Sequence, residues 1–423
     1  MSKNRFPRNF WVVIVMEFFE RGAYYGMMSV LSLFLVLNIP DGGLGFSKEQ
    51  AGSILGLIPP ILYFLPIIAG AIAERYGYRK ILFFAFICML IGYFLTGMSK
   101  SYLLVLGSLS IMAIGAGFFK PVASGTIARS TNESNSGLGF GIFYWSINLG
   151  AFLFPLILVP ILKSHSYSYI FYMCAAISLL LILINIFIYR EPQRPQNTKS
   201  LSTLFREMLL VIRDWKFILM LVIYSGFWIL YFQMYGTVLW YVNEYMDMTV
   251  VNKAVNSFLG LFVKNPTWHF DVEHVVVIAA GVIIMFQLIV SKIVQKAPAL
   301  RTIIIGIGLG TIGMAILAIS MNPWVFICGV VIFTLGEMTA HPKFSSYVGL
   351  IAPPDKKAIY MGYSFLYGVI GSSVGGFLGS RLYVKYVTNM GQPSTLWLIF
   401  TAIGVLTMIS LMLYNKFIAP RRA

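Results

Sequence analysis

Apolar residues fill the chain in stretches of about 20 residues or more, separated by short polar turns or turns with glycine and proline. A helical stretch of this length spans the hydrocarbon core of a bilayer. We place twelve such helices, called spans 1 to 12, at about residues 10–37, 47–75, 80–99, 102–128, 138–163, 167–189, 216–245, 273–296, 300–320, 323–351, 357–386 and 394–417. The pattern predicts an all-α membrane protein with no room for a sizeable soluble domain.

A polar stretch at residues 190–215 divides the spans six and six. We therefore predict an N-terminal six-helix bundle (1–189), a cytoplasmic linker (190–215) and a C-terminal six-helix bundle (216–423). Apolar linker residues at helical spacing predict a short helix on the membrane surface. These are Leu201, Leu204, Phe205, Met208, Leu209 and Ile212. Two six-helix halves with a binding site at the midplane between them are typical of secondary transporters.

Composition agrees with this class, because 58% of the 423 residues are hydrophobic, 11% are charged and the mean hydropathy is +0.81. The net charge is +16, from 31 basic and 15 acidic residues. We assign about 21 of the Lys and Arg residues to one side of the membrane and about 7 to the other, as the positive-inside rule expects of cytoplasmic loops. This predicts an integral protein of the cytoplasmic (inner) membrane, with both termini in the cytoplasm. It favours anionic lipid over nucleic acid as the partner of the surplus charge.

Ionisable residues lie where span 1 should meet lipid. Glu17, Glu20, Arg21 and Tyr24 are spaced i, i+3, i+4 and i+7, so a helix puts them on one stripe. A charge at this depth costs several kcal/mol unless it is paired or hydrated, and so marks a functional site by default. The alternative is a buried ion pair that only locks helices together.

Away from the membrane interfaces, three more charged residues lie inside predicted spans: Lys120 in span 4, and Glu337 and Lys343 in span 10. A cavity lined by bases of the first half and an acid of the second would hold a zwitterion end to end. It could also relay a proton, which makes protons the expected coupling ion with no other cofactor. We hypothesise that Lys120 exchanges partners between Glu17 and Glu337.

Catalytic and metal-binding patterns do not stand out in the sequence. No nucleophile, base and orienting group share a helical spacing, which predicts that the chain is not an enzyme. His269 and His274 lack a second ligand at a metal spacing, so we expect them to be solvated and no metal to be bound.

Several motifs together resemble those of the proton-coupled oligopeptide transporters (POT/PTR), a family of the major facilitator superfamily. Span 1 carries Glu17-x-x-Glu20-Arg21-x-x-Tyr24-Tyr25-Gly26, and span 5 carries Phe143-Tyr144-x-x-Ile147-Asn148-x-Gly150. Lys120-Pro121 in span 4 and Gly336-Glu337 with Pro342 in span 10 are similar to two further signatures. Gly70-x-x-x-Glu74-Arg75-x-Gly77-x-Arg79-Lys80 resembles the superfamily loop motif.

The resemblance implies the major facilitator fold and proton-coupled symport of di- and tripeptides by alternating access. At the matching positions, Glu17, Glu20, Arg21, Lys120 and Glu337 would couple protons. Arg21 and Lys120 would also attract the peptide carboxylate, and Glu337 the amino end. The remaining pocket residues would be Tyr24, Tyr25, Tyr63, Asn148 and Gln233. Each tyrosine could equally fill a helix interface, and Asn148 could instead bond between helices.

The chain departs from the family pattern at a pair of gate positions. Met28 stands where an Arg is usual and Phe232 where a Glu is usual, which suggests that apolar contact replaces an outer ion pair. Glu273-His274 stands near the usual Asn-Pro of span 8, and the linker leaves no room for the two extra helices of many bacterial members.

Other functions therefore stay open. One alternative is proton-coupled transport of another small zwitterion or anion, such as an amino acid derivative, a modified peptide or nitrate. Another is a receptor that has kept the fold without transport. Neither reading requires an oligomer.

Overall fold

The computed structural model describes residues 6–132, 135–192, 211–353 and 356–419, and its first half is a bundle of long helices. Eight helices precede residue 190: α1 (Arg8–Val36), α2 (Lys48–Phe64), α3 (Pro66–Tyr76), α4 (Tyr78–Met98), α5 (Tyr102–Arg129), α6 (Ser136–Leu153), α7 (Val159–Lys163) and α8 (Ser168–Phe187). A π-helical turn at Phe154–Leu158 joins α6 to α7.

The second half is also a bundle of helices. Its helices are α9 (Trp215–Gln233), α10 (Thr237–Tyr245), α11 (Thr249–Leu259), α12 (Glu273–Val294), α13 (Ala299–Ile319), α14 (Pro323–Ile351), α15 (Lys357–Ser364), α16 (Leu366–Leu382) and α17 (Pro393–Phe417). A π-helix at Tyr383–Asn389 extends α16.

Local sequence signals account for the helix starts and breaks. Ser47 and Gln50 form a capping box at the start of α2, with backbone-to-side-chain bonds of 3.0 and 3.2 Å. Span 2 is kinked, since α2 and α3 meet at 43° where Pro66 interrupts the helix. We predicted no helix between spans 7 and 8, where the structure places α11.

Among the described residues, nine helices are long and apolar enough to cross a membrane, or ten if α2 and α3 are one bent span. The charged helix α1 and the glycine-rich α16 lie where spans 1 and 11 were expected. The count of twelve stays a prediction. The predicted linker helix falls mostly on residues 193–210, outside the described residues.

The two halves pack along two main seams, α2 against α16 and α6 against α12. Glycine permits the first seam to close. A Cβ on Gly376 of α16 would lie 2.4 Å from the backbone nitrogen of Gly56, and one on Gly52 would lie 2.0 Å from the Ser380 hydroxyl. The glycines of α16 therefore form a packing face that lets the two helices approach closely.

We call the end of the molecule that holds Lys48, Lys163, Glu244 and Glu273 the distal end, and the opposite end proximal. At the proximal end, the Glu191 carboxylate accepts the backbone N–H groups of Tyr78 and Arg79 at 2.8 Å each. The Arg79 side chain donates to carbonyls at the last turn of α8. A negative group thus caps the start of α4 and a positive group the end of α8, which complements both helix dipoles.

Candidate functional site

A cavity of about 280 Å³ lies between the two halves. Side chains of α1, α2, α5 and α6 form one wall, and side chains of α9, α12, α14 and α16 the other. Seven predicted site residues line it: Glu17, Arg21, Tyr25, Tyr63, Lys120, Asn148 and Glu337. The helical stripe on α1 does turn away from lipid, toward this cavity and the protein around it.

A buried ion pair organises the wall formed by α1. The Arg21 guanidinium donates to both oxygens of Glu20, at 2.5 and 2.6 Å, and both residues are at most 3% exposed. The Arg21 Nε lies 3.8 Å from a Glu17 oxygen, while the other oxygen, Oε2, is buried and has no hydrogen-bond partner among the described residues. Removing one member of such a pair would leave an uncompensated buried charge, so the three groups act as one unit.

Lys120 presents a cation that the described residues do not neutralise by direct contact. Its Nζ makes no ion pair or hydrogen bond there and lies 4.9 Å from the centre of the Tyr63 ring. Glu17 and Glu20 act on it electrostatically, but not within bonding distance. A cation–π contact is weaker than a charge-assisted hydrogen bond, so this ammonium can take an anionic partner.

Glu337 is the counterpart of Lys120 in the second half. It lies on α14, faces the cavity, and forms neither an ion pair nor a hydrogen bond with any side chain in the described ranges. The cavity therefore offers one unpaired base from the first half and one unpaired acid from the second. This arrangement is complementary to a small zwitterion.

Aromatic rings from both halves surround these charges. Tyr63 of α2 packs against Trp228 and Tyr367 of the second half, with ring centroids 6.3 and 6.4 Å apart. Tyr25 of α1 approaches Tyr235 at 6.3 Å. These rings give the cavity amphipathic walls that suit variable apolar side chains between fixed charged ends.

Three predicted site residues lie outside the cavity lining. Glu20 is fully buried against Arg21, and Tyr24 is buried beneath the Arg21 guanidinium, 4.8 Å away. Gln233 is 2% exposed, and its amide nitrogen donates to the carbonyls of Ile229 and Gly375, both in the second half. The helix register points these three side chains away from the cavity. The structure therefore does not support direct contact between them and a substrate.

Two further expectations need correction. Lys343, counted among the interior bases, donates to the carbonyls of Gln295 and Ala297 at 3.0 and 2.9 Å, at the proximal end of α12. His274 is only 4% exposed and packs against Trp268 and Phe270, so it is not solvated.

Sequence reasoning missed several cavity residues. Tyr144, Trp228, Tyr231, Tyr235, His341 and Tyr367 all line the cavity. A usable signal existed for His341, because it follows Glu337 by four residues and so shares its helix face. The aromatic residues gave no such signal, since 16% of the whole chain is aromatic.

Ion pairs between the halves close the distal end. Lys48 of α2 pairs with Glu244 of α10 at 2.7 Å. Lys163 of α7 bonds both Asp271 and Glu273, with the latter at 2.8 Å. Burial beside these two acids raises the pKa of the Tyr167 phenol.

Met28 and Phe232, which replace the usual gate pair, lie nearer the cavity. They line one small apolar void of about 20 Å³ together with Leu55 and Trp240. The Trp240 Nε1 donates to the Ser32 carbonyl at 2.9 Å, which ties α10 to α1. The distal closure is thus ionic at the surface and apolar beneath it.

These features define a class of protein: a helical membrane protein in which two halves enclose a charged, aromatic cavity. A family model described as the Major Facilitator Superfamily matches residues 11–376. The chain belongs to the Major Facilitator Superfamily. It is an integral membrane protein, and the predicted fold is confirmed.

Individual relatives match over less than half of the chain. The "Uncharacterized transporter YclF" of Bacillus subtilis (strain 168) is 32% identical over 181 residues, which cover 42% of this chain and 37% of the relative. "Dipeptide and tripeptide permease B" of Photorhabdus asymbiotica is 30% identical over 208 residues, covering 46% and 41%. The matched stretches thus span about two fifths of these curated relatives.

Solved structures match almost the whole chain. A POT family transporter in complex with 5-aminolevulinic acid superposes with a TM-score of 0.79 at 22% identity, covering 98% of this chain and 97% of that one. A peptide transporter POT in complex with sulfate gives a TM-score of 0.77 at 18% identity, covering 97% and 94%. These neighbours show the fold, and together with the relatives they confirm the predicted resemblance to the oligopeptide transporters.

Proposed function

We propose that this protein is a proton-coupled symporter of di- and tripeptides that works by alternating access. One observation carries the proposal: the cavity between the halves presents the unpaired base Lys120 on one wall and the unpaired acid Glu337 on the other. A short peptide has a carboxylate at one end and an ammonium at the other. Binding it end to end would draw the two halves together through the substrate.

Each end of the peptide has a preferred partner. Lys120 is the first partner of the carboxylate, because Arg21 is already paired with Glu20 and can contribute only its remaining donors. Glu337 takes the ammonium. Tyr25, Tyr63 and Asn148 line the space between, and the Asn148 amide nitrogen donates to the Tyr144 carbonyl at 2.9 Å.

Proton coupling would use the acids on the cavity's first wall. Glu17 has a buried oxygen without a partner, so a proton there removes an uncompensated charge. Lys120 would then lose one electrostatic partner and turn toward the substrate or Glu337. Glu20 would hold Arg21 in place through the cycle. Protons are the coupling ion, and we expect no other cofactor.

The membrane arrangement follows from the basic loops. We place the chain in the cytoplasmic (inner) membrane, with both termini in the cytoplasm and the distal end outside. The distal ion pairs of Lys48 and Lys163 would then hold the outer face closed while the cavity serves the inner face. The chain needs lipid around it, but the cavity is complete within one copy, so no oligomer is required.

Transport of another small zwitterion is the second candidate. Its support is that a structural neighbour was solved with 5-aminolevulinic acid, which carries an amine and a carboxylate but no peptide bond. The altered pair Met28 and Phe232 could also change selectivity through the distal closure. A receptor without transport is a weaker third reading, because binding alone does not require the Glu17, Glu20 and Arg21 unit.

Uptake into liposomes tests the proposal. The purified protein is reconstituted, an inward proton gradient is imposed, and accumulation of a labelled dipeptide is measured against a panel of peptides. We expect accumulation by the wild type, its loss in Glu337→Gln, and normal uptake in Glu49→Gln, which changes an exposed acid outside the cavity. Failure to accumulate any peptide would favour the second or third candidate.

A second variant tests the coupling step. Lys120→Ala is expected to abolish uptake driven by the proton gradient, whereas exchange of peptide across the membrane at equal pH persists at higher peptide concentration, because the remaining donors of Arg21 still attract the carboxylate. Unchanged driven uptake would dismiss the role of Lys120 as the switching base.

A further inference from the structure

His341 is a cavity residue that the transport scheme leaves unused. It lies on α14, and neither ring nitrogen has a hydrogen bond within the part of the chain that the structure describes. Its Nδ1 is buried and unpartnered. The ring packs edge-on against Trp228 and Tyr367, with centroids 5.4 and 5.7 Å apart. A buried polar atom without a partner is unfavourable, so a polar group that enters the cavity beside this ring gains by bonding it.

The position of His341 relates it to both unpaired charges. It follows Glu337 by one helical turn on the same face of α14. Lys120 acts on the ring electrostatically from the opposite half. If Lys120 and Glu337 hold the two ends of a ligand, the middle of that ligand lies beside the His341 imidazole.

We propose that His341 is a specificity-determining residue that hydrogen-bonds the peptide bond of the substrate, an inference that rests on the proposed function. A peptide bond offers a carbonyl acceptor and an N–H donor side by side. A neutral imidazole offers one N–H donor and one acceptor nitrogen, so either tautomer finds a partner. A zwitterion that lacks an amide gains less from the ring, since methylene groups cannot make this bond.

Ring packing alone is the competing explanation, and two variants separate it from hydrogen bonding. His341→Phe keeps an aromatic ring against Trp228 and Tyr367 but removes both nitrogens. His341→Gln keeps a donor and an acceptor but removes the ring. If ring packing is the role of His341, the Phe variant keeps the wild-type preference between ligands and the Gln variant loses it. If hydrogen bonding is the role, the Gln variant keeps the preference and the Phe variant loses it.

Two ligands of matched length test the proposal. Glycylglycine and 5-aminopentanoic acid have the same number of backbone atoms between ammonium and carboxylate, and two methylene groups of the second replace the peptide bond of the first. The affinity of each is measured by competition against a labelled dipeptide in liposomes containing the full-length protein. His269→Leu, in the exposed part of the distal loop, is the matched histidine control.

For the wild type we expect glycylglycine to bind more tightly than 5-aminopentanoic acid. In His341→Phe, glycylglycine should weaken by about three- to tenfold, the range for one hydrogen bond, while 5-aminopentanoic acid changes less than about twofold. His341→Gln should keep most of the wild-type preference, and His269→Leu all of it.

The other outcomes overturn the inference in distinguishable ways. If the wild type binds glycylglycine but His341→Phe weakens both ligands equally or neither, His341 does not read the peptide bond and the proposed function stands. If Phe preserves the preference and Gln abolishes it, the ring is structural. If the wild type binds neither ligand nor any peptide, the proposed function fails and this inference with it.

Discussion

Replacing Lys163 with methionine removes a cation that two acids of the other half share at the distal end. The Lys163 Nζ lies 2.8 Å from a Glu273 oxygen and also bonds Asp271. Glu273 is 1% exposed, whereas Asp271 is 43% exposed. The methionine keeps the apolar length of the side chain, so the main change is the loss of charge from a largely dry site.

The substitution Lys163→Met raises the free energy of the state in which the distal end is closed. Removing one member of a buried pair costs about 3–5 kcal/mol, and we take the lower end because Lys163 and Asp271 retain some contact with water. When the distal end opens, Glu273 is hydrated and the cost disappears. About 3 kcal/mol is a factor of roughly 150, so a molecule that is about 99% closed would become about evenly divided between the two states.

Distances between spin labels measure this shift. Labels at His165 and Lys253, both exposed at the distal end, report its opening in a background without the three native cysteines. We expect a new, longer distance population in Lys163→Met. Lys264→Met, an exposed lysine of the distal loop, is the matched control. A distance distribution identical to the wild type in the folded Lys163 variant would refute the assignment of this cluster as a closure.

Three further predictions concern the packing around the cavity. Glu20→Gln leaves its guanidinium partner without a full counter-charge, so the thermal midpoint in detergent should fall by about 3 °C, from a loss of about 3 kcal/mol. Gly376→Val forces carbon atoms into the backbone of Gly56, so it should destabilise the seam by about 1–3 kcal/mol and impair uptake. Met28→Arg and Phe232→Glu should each destabilise the chain alone, whereas the double variant recovers at least about 1 kcal/mol of coupling in a double-mutant cycle of thermal stability.

Matched variants control for these effects. Glu49→Gln changes an exposed acid and should leave the midpoint unchanged. Gly107→Val adds the same atoms where no neighbouring atom lies within 4 Å of the new Cβ. Equal midpoints for Glu20→Gln and Glu49→Gln would contradict the buried-pair account. Additive losses in the double variant would show that positions 28 and 232 do not meet.

Helix positions could be derived from the sequence because they depend on local properties. The length of each apolar stretch sets the length of the span. The observed bounds differ from the predicted ones by about two residues or fewer at most ends, and those of α14 at Pro323–Ile351 coincide. The capping box at Ser47 and the kink at Pro66 are likewise properties of a few neighbouring residues. The stripe on α1 follows from helical spacing alone, and its turn toward the protein follows from the cost of charge in lipid.

The partners of polar side chains depended on the tertiary structure. Gln233 looked like a pocket residue, but the approach of α16 brings the Gly375 carbonyl to its amide. Lys163 and Glu273 are 110 residues apart, and no local sequence pattern predicts their contact. Sequence by itself determined which segments are helical and which of their faces must avoid lipid, since both follow from spacing and transfer energy. Only the packing of the two halves decided which polar groups are paired and which, like Lys120, Glu337 and the His341 ring, have no bonding partner among the described residues and can take a ligand. The reason is that a side chain's partner is set by the register between helices distant in the chain.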